Sequence, residues 1–173
     1  MGKISPMDFK LFRQRFINMI LSTDMARSKE DLDALNDLIE HSGFTADKNF
    51  DCLIDKTSKT TEFKSQQTFL DTVIHAGDMS VALRPFETVQ TWTYLLFDEF
   101  FTQGDLEKAQ NLTVSFLCDR EATNVRNMQP FFVTNIVMPL FSTIAGIFPS
   151  MESTTKLCQE TVEKWQAHVE TEE

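Results

Sequence analysis

Pro85-Phe86-Glu87-Thr88-Val89-Gln90-Thr91-Trp92-Thr93-Tyr94-Leu95-Leu96-Phe97-Asp98-Glu99-Phe100-Phe101-Thr102-Gln103-Gly104 decides the fold class. Apolar residues return every three or four positions at Phe86, Val89, Leu96 and Phe100, with Thr93 on the same side. That is the period of a helix with one buried face. Pro85 suits its first turn, and Gly104 predicts its stop. Asp105 then predicts the cap of a short further helix.

The same reading extends in both directions. Ser5-Pro6 pairs an N-cap residue with a first-turn proline, and Phe9, Phe12, Phe16, Met19 and Ile20 follow at helical spacing as a core-facing stripe. Ser28 is placed to cap a second helix, with Leu32, Leu35, Leu38 and Ile39 on its buried side and Gly43 at its end. Residues 43–62 break the period and read as a long loop with one turn near Phe50–Ile54. A third helix is expected from about Lys64 to Ala76, ending at Gly77, with Phe69, Leu70, Val73 and Ile74 buried. Asn124 predicts another helix start, kinked at Pro130. The window Pro130–Phe148 reads as two buried helices joined at Pro139 rather than a membrane span. The last helix begins near Ser153 and buries Leu157, Cys158, Thr161, Val162, Trp165 and Val169. No segment keeps a period of two. The expectation is an all-α, compact multi-helix domain of seven to nine helices over residues 1–173.

Composition narrows the function. With 16 Lys plus Arg against 26 Asp plus Glu, the net charge of −10 gives no electrostatic footprint for nucleic acid or an anionic membrane. Phe supplies 16 of the aromatics and Tyr one, which favours dry packing between helices. Cys52, Cys118 and Cys158 share no metal or redox spacing, so free thiols in a reducing, cytoplasmic compartment are expected. His41, His75 and His168 lie far apart and form no ligand cluster. His41 reads as a helix C-terminal cation and His168 as a solvated tail residue. No GxSxG, P-loop or GxGxxG occurs.

One set of motifs says more. His75-Ala76-Gly77-Asp78-Met79-Ser80 is followed by Gln90-Thr91-Trp92, by Asp98-Glu99-Phe100-Phe101-Thr102-Gln103-Gly104-Asp105-Leu106-Glu107, by Cys118-Asp119-Arg120 and by Gln129-Pro130-Phe131-Phe132. Upstream stands Ser22-Thr23-Asp24-Met25-Ala26-Arg27. In order and spacing these resemble the C-terminal half of the class I 3′,5′-cyclic nucleotide phosphodiesterase catalytic domain, whose stretches read roughly ATDMSKH, HAADISNP, QW, EEFFxQGDxE, CDR and SQxGFI.

The resemblance implies a helical domain whose family hydrolyses cyclic AMP or cyclic GMP at two divalent metals, Zn or Mg. It maps one metal-ligand position onto Asp78, as a vestige, and the purine contacts onto Gln129 and Phe132; His75 and Trp92 are motif-supporting. The family's HNxxH and HD motifs, which carry the other ligands and the general acid, are not in these 173 residues. Val81 and Ala82 stand where the family has Asn and Pro, and Ser28 where it has the last His of its TDMSKH run. One carboxylate does not hold a catalytic metal pair. The expectation is therefore a degenerate, non-catalytic member with no cofactor and weak or absent cyclic nucleotide binding. It would serve as an obligate subunit docked on a protein partner through Phe9, Phe12, Phe16 and Met19. Two alternatives stand beside it: half of a split phosphodiesterase, and a cyclic nucleotide sensor that does not hydrolyse.

Overall fold

The computed structural model describes residues 4–44, 50, 53 and 59–170. Most of the loop expected at 43–62, and Cys52 within it, lies outside the described residues. There are seven α-helices among them and no strand: α1 (Pro6–Leu21), α2 (Ser28–Ser42), α3 (Lys59–Met79), α4 (Phe86–Ala109), α5 (Val125–Phe132), α6 (Met138–Ile147) and α7 (Ser153–Glu170). The all-α class expected from the sequence is the class observed. The chain clusters into two compact units, Met1–Met79 with Leu140–Glu152, and Ser80–Pro139 with Ser153–Glu173.

In the first unit, Ser5 caps α1 by accepting from the Asp8 N–H, with Pro6 in the first turn. α2 starts differently from the sequence reading. A short 3₁₀ turn, Met25–Arg27, comes first, capped by the Asp24 carboxylate on the Ala26 N–H at 3.0 Å. Ser28 then becomes the first residue of α2 instead of its cap, which frees its hydroxyl for a tertiary contact. Gly43 ends α2 in the left-handed region at φ 58°. The core gathers Leu35, Phe44, Leu53 and Ile147, with Phe69 and Phe148 packed on it. The Phe44 and Phe69 rings meet edge to face at 5.4 Å, a favoured arrangement of their quadrupoles.

Three expectations for this unit are corrected. α3 runs through Gly77 to Met79, with Gly77 keeping a helical rather than a left-handed backbone. Val73 and Ile74 are exposed, not buried. α1 does not turn its Phe stripe to the core; it has no buried residue. Its hold on α3 is through Arg15, whose guanidinium sits 4.5 Å over the Phe63 ring and donates to Gln66 Oε1, while its carbonyl accepts from Gln67 Nε2 at 3.2 Å. Phe9, Phe12, Phe16 and Ile20 are left exposed on the other side, and Met19 is half-buried.

In the second unit, α4 buries Val89, Phe97 and Gly104, so its buried line falls on Phe97 and leaves Leu96 exposed. Gly104 does not stop the helix and Asp105 caps nothing; both lie inside α4. The reason is tertiary: a Cβ on Gly104 would overlap the Cys118 carbonyl oxygen and lie 2.7 Å from its carbonyl carbon. Asn124 caps α5 as expected, accepting from the Asn127 N–H at 3.1 Å. Pro130 lies inside α5. A π-helical segment, Val133–Val137, follows, and the Met138 N–H reaches back to the Val133 carbonyl. The junction between α5 and α6 is this π-helical segment, and Pro139 falls in the first turn of α6, just after it. The wider turn before it absorbs the missing N–H and the ring's demand for space.

The run Val125–Ile147, 23 residues, is by length and composition apolar enough to cross a membrane, and a third of its most apolar window is buried. α7 places Cys158, Thr161, Val162 and Trp165 inside and leaves Leu157 exposed. Thr161 donates to the Ala82 carbonyl at 3.0 Å, fixing the 3₁₀ turn Ser80–Leu83 against α7.

Candidate functional site

Asp78 stands one residue before the end of α3, with its side chain exposed. Gly77 beside it faces open space. His75, one turn earlier, is 3% exposed, and its Nε2 shares a 3.3 Å hydrogen bond with the Ser28 hydroxyl of α2. The imidazole thus ties α3 to the start of α2; Asp78 projects beyond that tie.

His75 belongs to a buried polar seam along α1, α2 and α3. Gln67 donates to Asp71 Oδ1 at 2.7 Å, and Arg27 pairs with Asp31 at 3.2 Å. Burial pushes the Asp71 carboxyl above the ordinary carboxylate range, against the opposing pull of its Gln67 bond. Arg15 Nη1, Asp31 Oδ2, Gln67 Oε1 and His75 Nδ1 are buried without a hydrogen-bond partner. Sequence reasoning missed this seam. The spacing Gln67, Asp71, His75 puts three polar groups on one line of α3, and that was its only local signal.

Among the described residues no group of three or more His, Cys, Asp or Glu side chains is arranged to hold a metal ion. Asp78 and its described neighbours thus do not by themselves supply the donor set of a two-metal centre.

Gln129 and Phe132 lie in the second unit, three positions apart on α5, which puts them on one side of the helix. Gln129 is 8% exposed and Phe132 half-buried; Phe131 points outward. Trp92 is 59% exposed on α4. His168, expected in solvent, is half-buried: its Nε2 and Gln90 Nε2 are 2.9 Å apart, and its ring lies 6.0 Å from Trp165. His41 bonds through Nδ1 to the Asp37 carbonyl of its own helix at 2.8 Å.

The longest motif, Asp98–Glu107, serves to hold the loop that follows it. The Glu107 carboxylate accepts from the Ser115 hydroxyl and backbone N–H at 2.6 and 2.7 Å, which holds it below the usual carboxylate range. Asp105 takes the Arg120 guanidinium through both oxygens, and Lys108 reaches Asp119 at 2.8 Å. The clamped loop carries Leu117 at φ 68°, a strained value for a residue with a Cβ.

An all-α fold carrying these motifs in this order defines a phosphodiesterase-type helical domain. The family model for 3′5′-cyclic nucleotide phosphodiesterase matches residues 1–158, and the chain belongs to that family. The human high affinity cGMP-specific 3′,5′-cyclic phosphodiesterase 9A is 30% identical over 152 residues, 87% of this chain and 23% of that protein. The probable 3′,5′-cyclic-AMP phosphodiesterase pde-4 of Caenorhabditis elegans is 29% identical over 159 residues, 91% of this chain and 22% of that one. Among solved structures, LmjPDEB1 in complex with IBMX superposes with a TM-score of 0.76 at 26% identity, over 97% of this chain and 46% of that one. The phosphodiesterase domain of the Salpingoeca rosetta RhoPDE fusion protein gives 0.78 at 22% identity and shares the fold over 50% of its length. The chain thus spans about a quarter of these curated relatives and about half of the solved domains.

Proposed function

We propose that these 173 residues act as a phosphodiesterase-like interaction module that does not hydrolyse cyclic nucleotide by itself and is docked through the outer face of α1 on a protein partner. The observation that carries this reading is the isolation of Asp78, an exposed carboxylate at a family ligand position with no ligand cluster around it among the described residues. The α1 face supports the docking half of the reading. Phe9, Phe12 and Phe16 are each more than half exposed, and the Phe12 and Phe16 rings stack at 6.0 Å. Burying side chains of this size is worth ~1.5–3 kcal/mol each, so leaving three in water forfeits a large part of a domain's ~5–15 kcal/mol stability.

The test is cyclic AMP and cyclic GMP hydrolysis by the purified chain with Mg²⁺, Mn²⁺ or Zn²⁺ supplied. The expected rate equals that of buffer. Turnover that disappears in Asp78→Ala would overturn the reading. The sensor alternative rests on Gln129 and Phe132; calorimetry is expected to show no micromolar binding of either nucleotide, and such binding, lost in Gln129→Ala, would favour the sensor.

A further inference from the structure

α1 is fixed to its unit at one end and by one side chain. None of its 16 residues is buried, and it adds nothing to the core of Leu35, Phe44, Leu53 and Ile147. Its C-terminal end is anchored. Ser22, fully buried, donates its N–H to the Asn18 carbonyl at 2.9 Å and its hydroxyl to the Met19 carbonyl at 2.8 Å. Ile17, Asn18 and Met19, just before it, are half-buried. Arg15 comes next. Its guanidinium lies 4.5 Å over the Phe63 ring and donates to Gln66 Oε1, and its carbonyl accepts from Gln67 Nε2. Beyond Arg15 the hold ends. Every residue from Pro6 to Gln14 is exposed, and among the described residues none of their side chains bonds to another helix. The contact also carries a cost: Arg15 Nη1 and Gln67 Oε1 are buried without a partner, and water would satisfy both on opening.

We infer that α1 is a hinged strap, anchored at Ser22, latched on α3 by Arg15, and able to lift from α3 without disturbing the core. Segments with few buried apolar contacts open locally, well before the whole domain does. A helix of this length is marginal in water once detached, so a lifted α1 also unwinds. The latch suits a guanidinium. Its plane stacks on the Phe63 ring while its edge donates to Gln66, whereas an ammonium is a point charge that cannot do both equally well. Lifting switches the Phe63–Gln67 flank of α3 from covered to bare. The strap is independent of what docks on the outer face of α1 and of whether the chain hydrolyses anything.

The experiment is native-state hydrogen exchange on the 173-residue chain, read by mass spectrometry of peptic peptides. In the wild type, amides of α1 are expected to exchange on the order of a hundredfold faster than those of α3 between Phe69 and His75. Arg15→Met is expected to speed α1 by a further factor of about ten. Exchange in α2 from Leu32 to Ile39 is expected to stay as it was. Arg15→Lys, which keeps the charge and loses the plane, is expected to fall between the two. Phe12→Ala, on the outward side, is expected to leave α1 within about twofold of wild type. An α1 as well protected as α3, or one whose exchange ignores Arg15→Met, would overturn the inference. So would Arg15 variants that raise exchange in α1 and α2 together or lose their helical circular dichroism, because α1 would then be part of the cooperative core and no strap.

Discussion

Gly104→Ala tests the packing of α4 against the loop that follows it. The added methyl would overlap the Cys118 carbonyl oxygen and lie 2.7 Å from its carbon and 3.2 Å from its Cβ. Two of these are backbone atoms, so no side-chain rotation relieves the clash. The loop is also pinned on both sides of Cys118, by Ser115 on Glu107 and by Asp119 on Lys108. Overpacking of this kind costs roughly 1–3 kcal/mol or more, and mid-helix Ala over Gly returns up to about 1 kcal/mol. The net expectation is a loss on the order of 2 kcal/mol, or about 4–8 °C in Tm for a chain of this size.

Two internal controls carry the opposite sign. Gly77 in α3 and Gly146 in α6 have nothing within 4 Å of where an added methyl would stand, so Gly77→Ala and Gly146→Ala are each expected to stabilise by ~0.5–1 kcal/mol. Thermal unfolding of the three variants followed by circular dichroism reads the signs directly. A Gly104→Ala variant as stable as the two controls would refute the close approach of Cys118 to α4.

Asp71→Asn is expected to raise stability at pH 7. The carboxyl is raised by burial, so the folded state holds its proton more tightly than the unfolded state, and stability falls as pH climbs from the ordinary value of 3.8 through the raised one. Asn accepts the same Gln67 bond without the charge. The gain over wild type is expected to shrink below pH 4; a gain independent of pH would count against burial as the cause. Cys158, fully buried with its thiol pushed up to about 11, is expected to react with a thiol reagent at pH 8 on the order of a hundredfold more slowly than in denaturant. Mass spectrometry of labelled peptides measures this, and equal rates would mean that α7 opens readily.

Much of the helix pattern is legible in the sequence because its signals are local. Ser5 with Pro6, Gly43 and Asn124 each act on backbone groups within a few residues, and all three mark the helix ends that the structure has. Gly77 and Gly104 read as stops yet lie inside helices, for the converse reason. A glycine in a helix answers to space, and the space at Gly104 is set by Cys118, 14 residues on. The α1 stripe shows a similar limit. Periodicity marks Phe9, Phe12 and Phe16 as one face but does not say which face meets α3, and Arg15 decides that. At the site, the nearness of His75 and Asp78 along one helix is readable from their spacing. Ser28 as the partner of His75 is not, since 47 residues separate them and a serine before a helix reads first as a cap.

The loop clamp in the second unit bears on what similarity over Asp98–Glu107 means. Gln103, Asp105 and Glu107 spend their polar atoms on Ser115 and Arg120, and Gly104 makes room for Cys118. These contacts all lie within the clamp between α4 and the loop that follows it. The segment that most strongly announces kinship is thus a record of how the chain is assembled, and it would survive the loss of turnover unchanged. Likeness in this segment therefore speaks for the fold, and activity has to be sought in the residues the clamp does not employ.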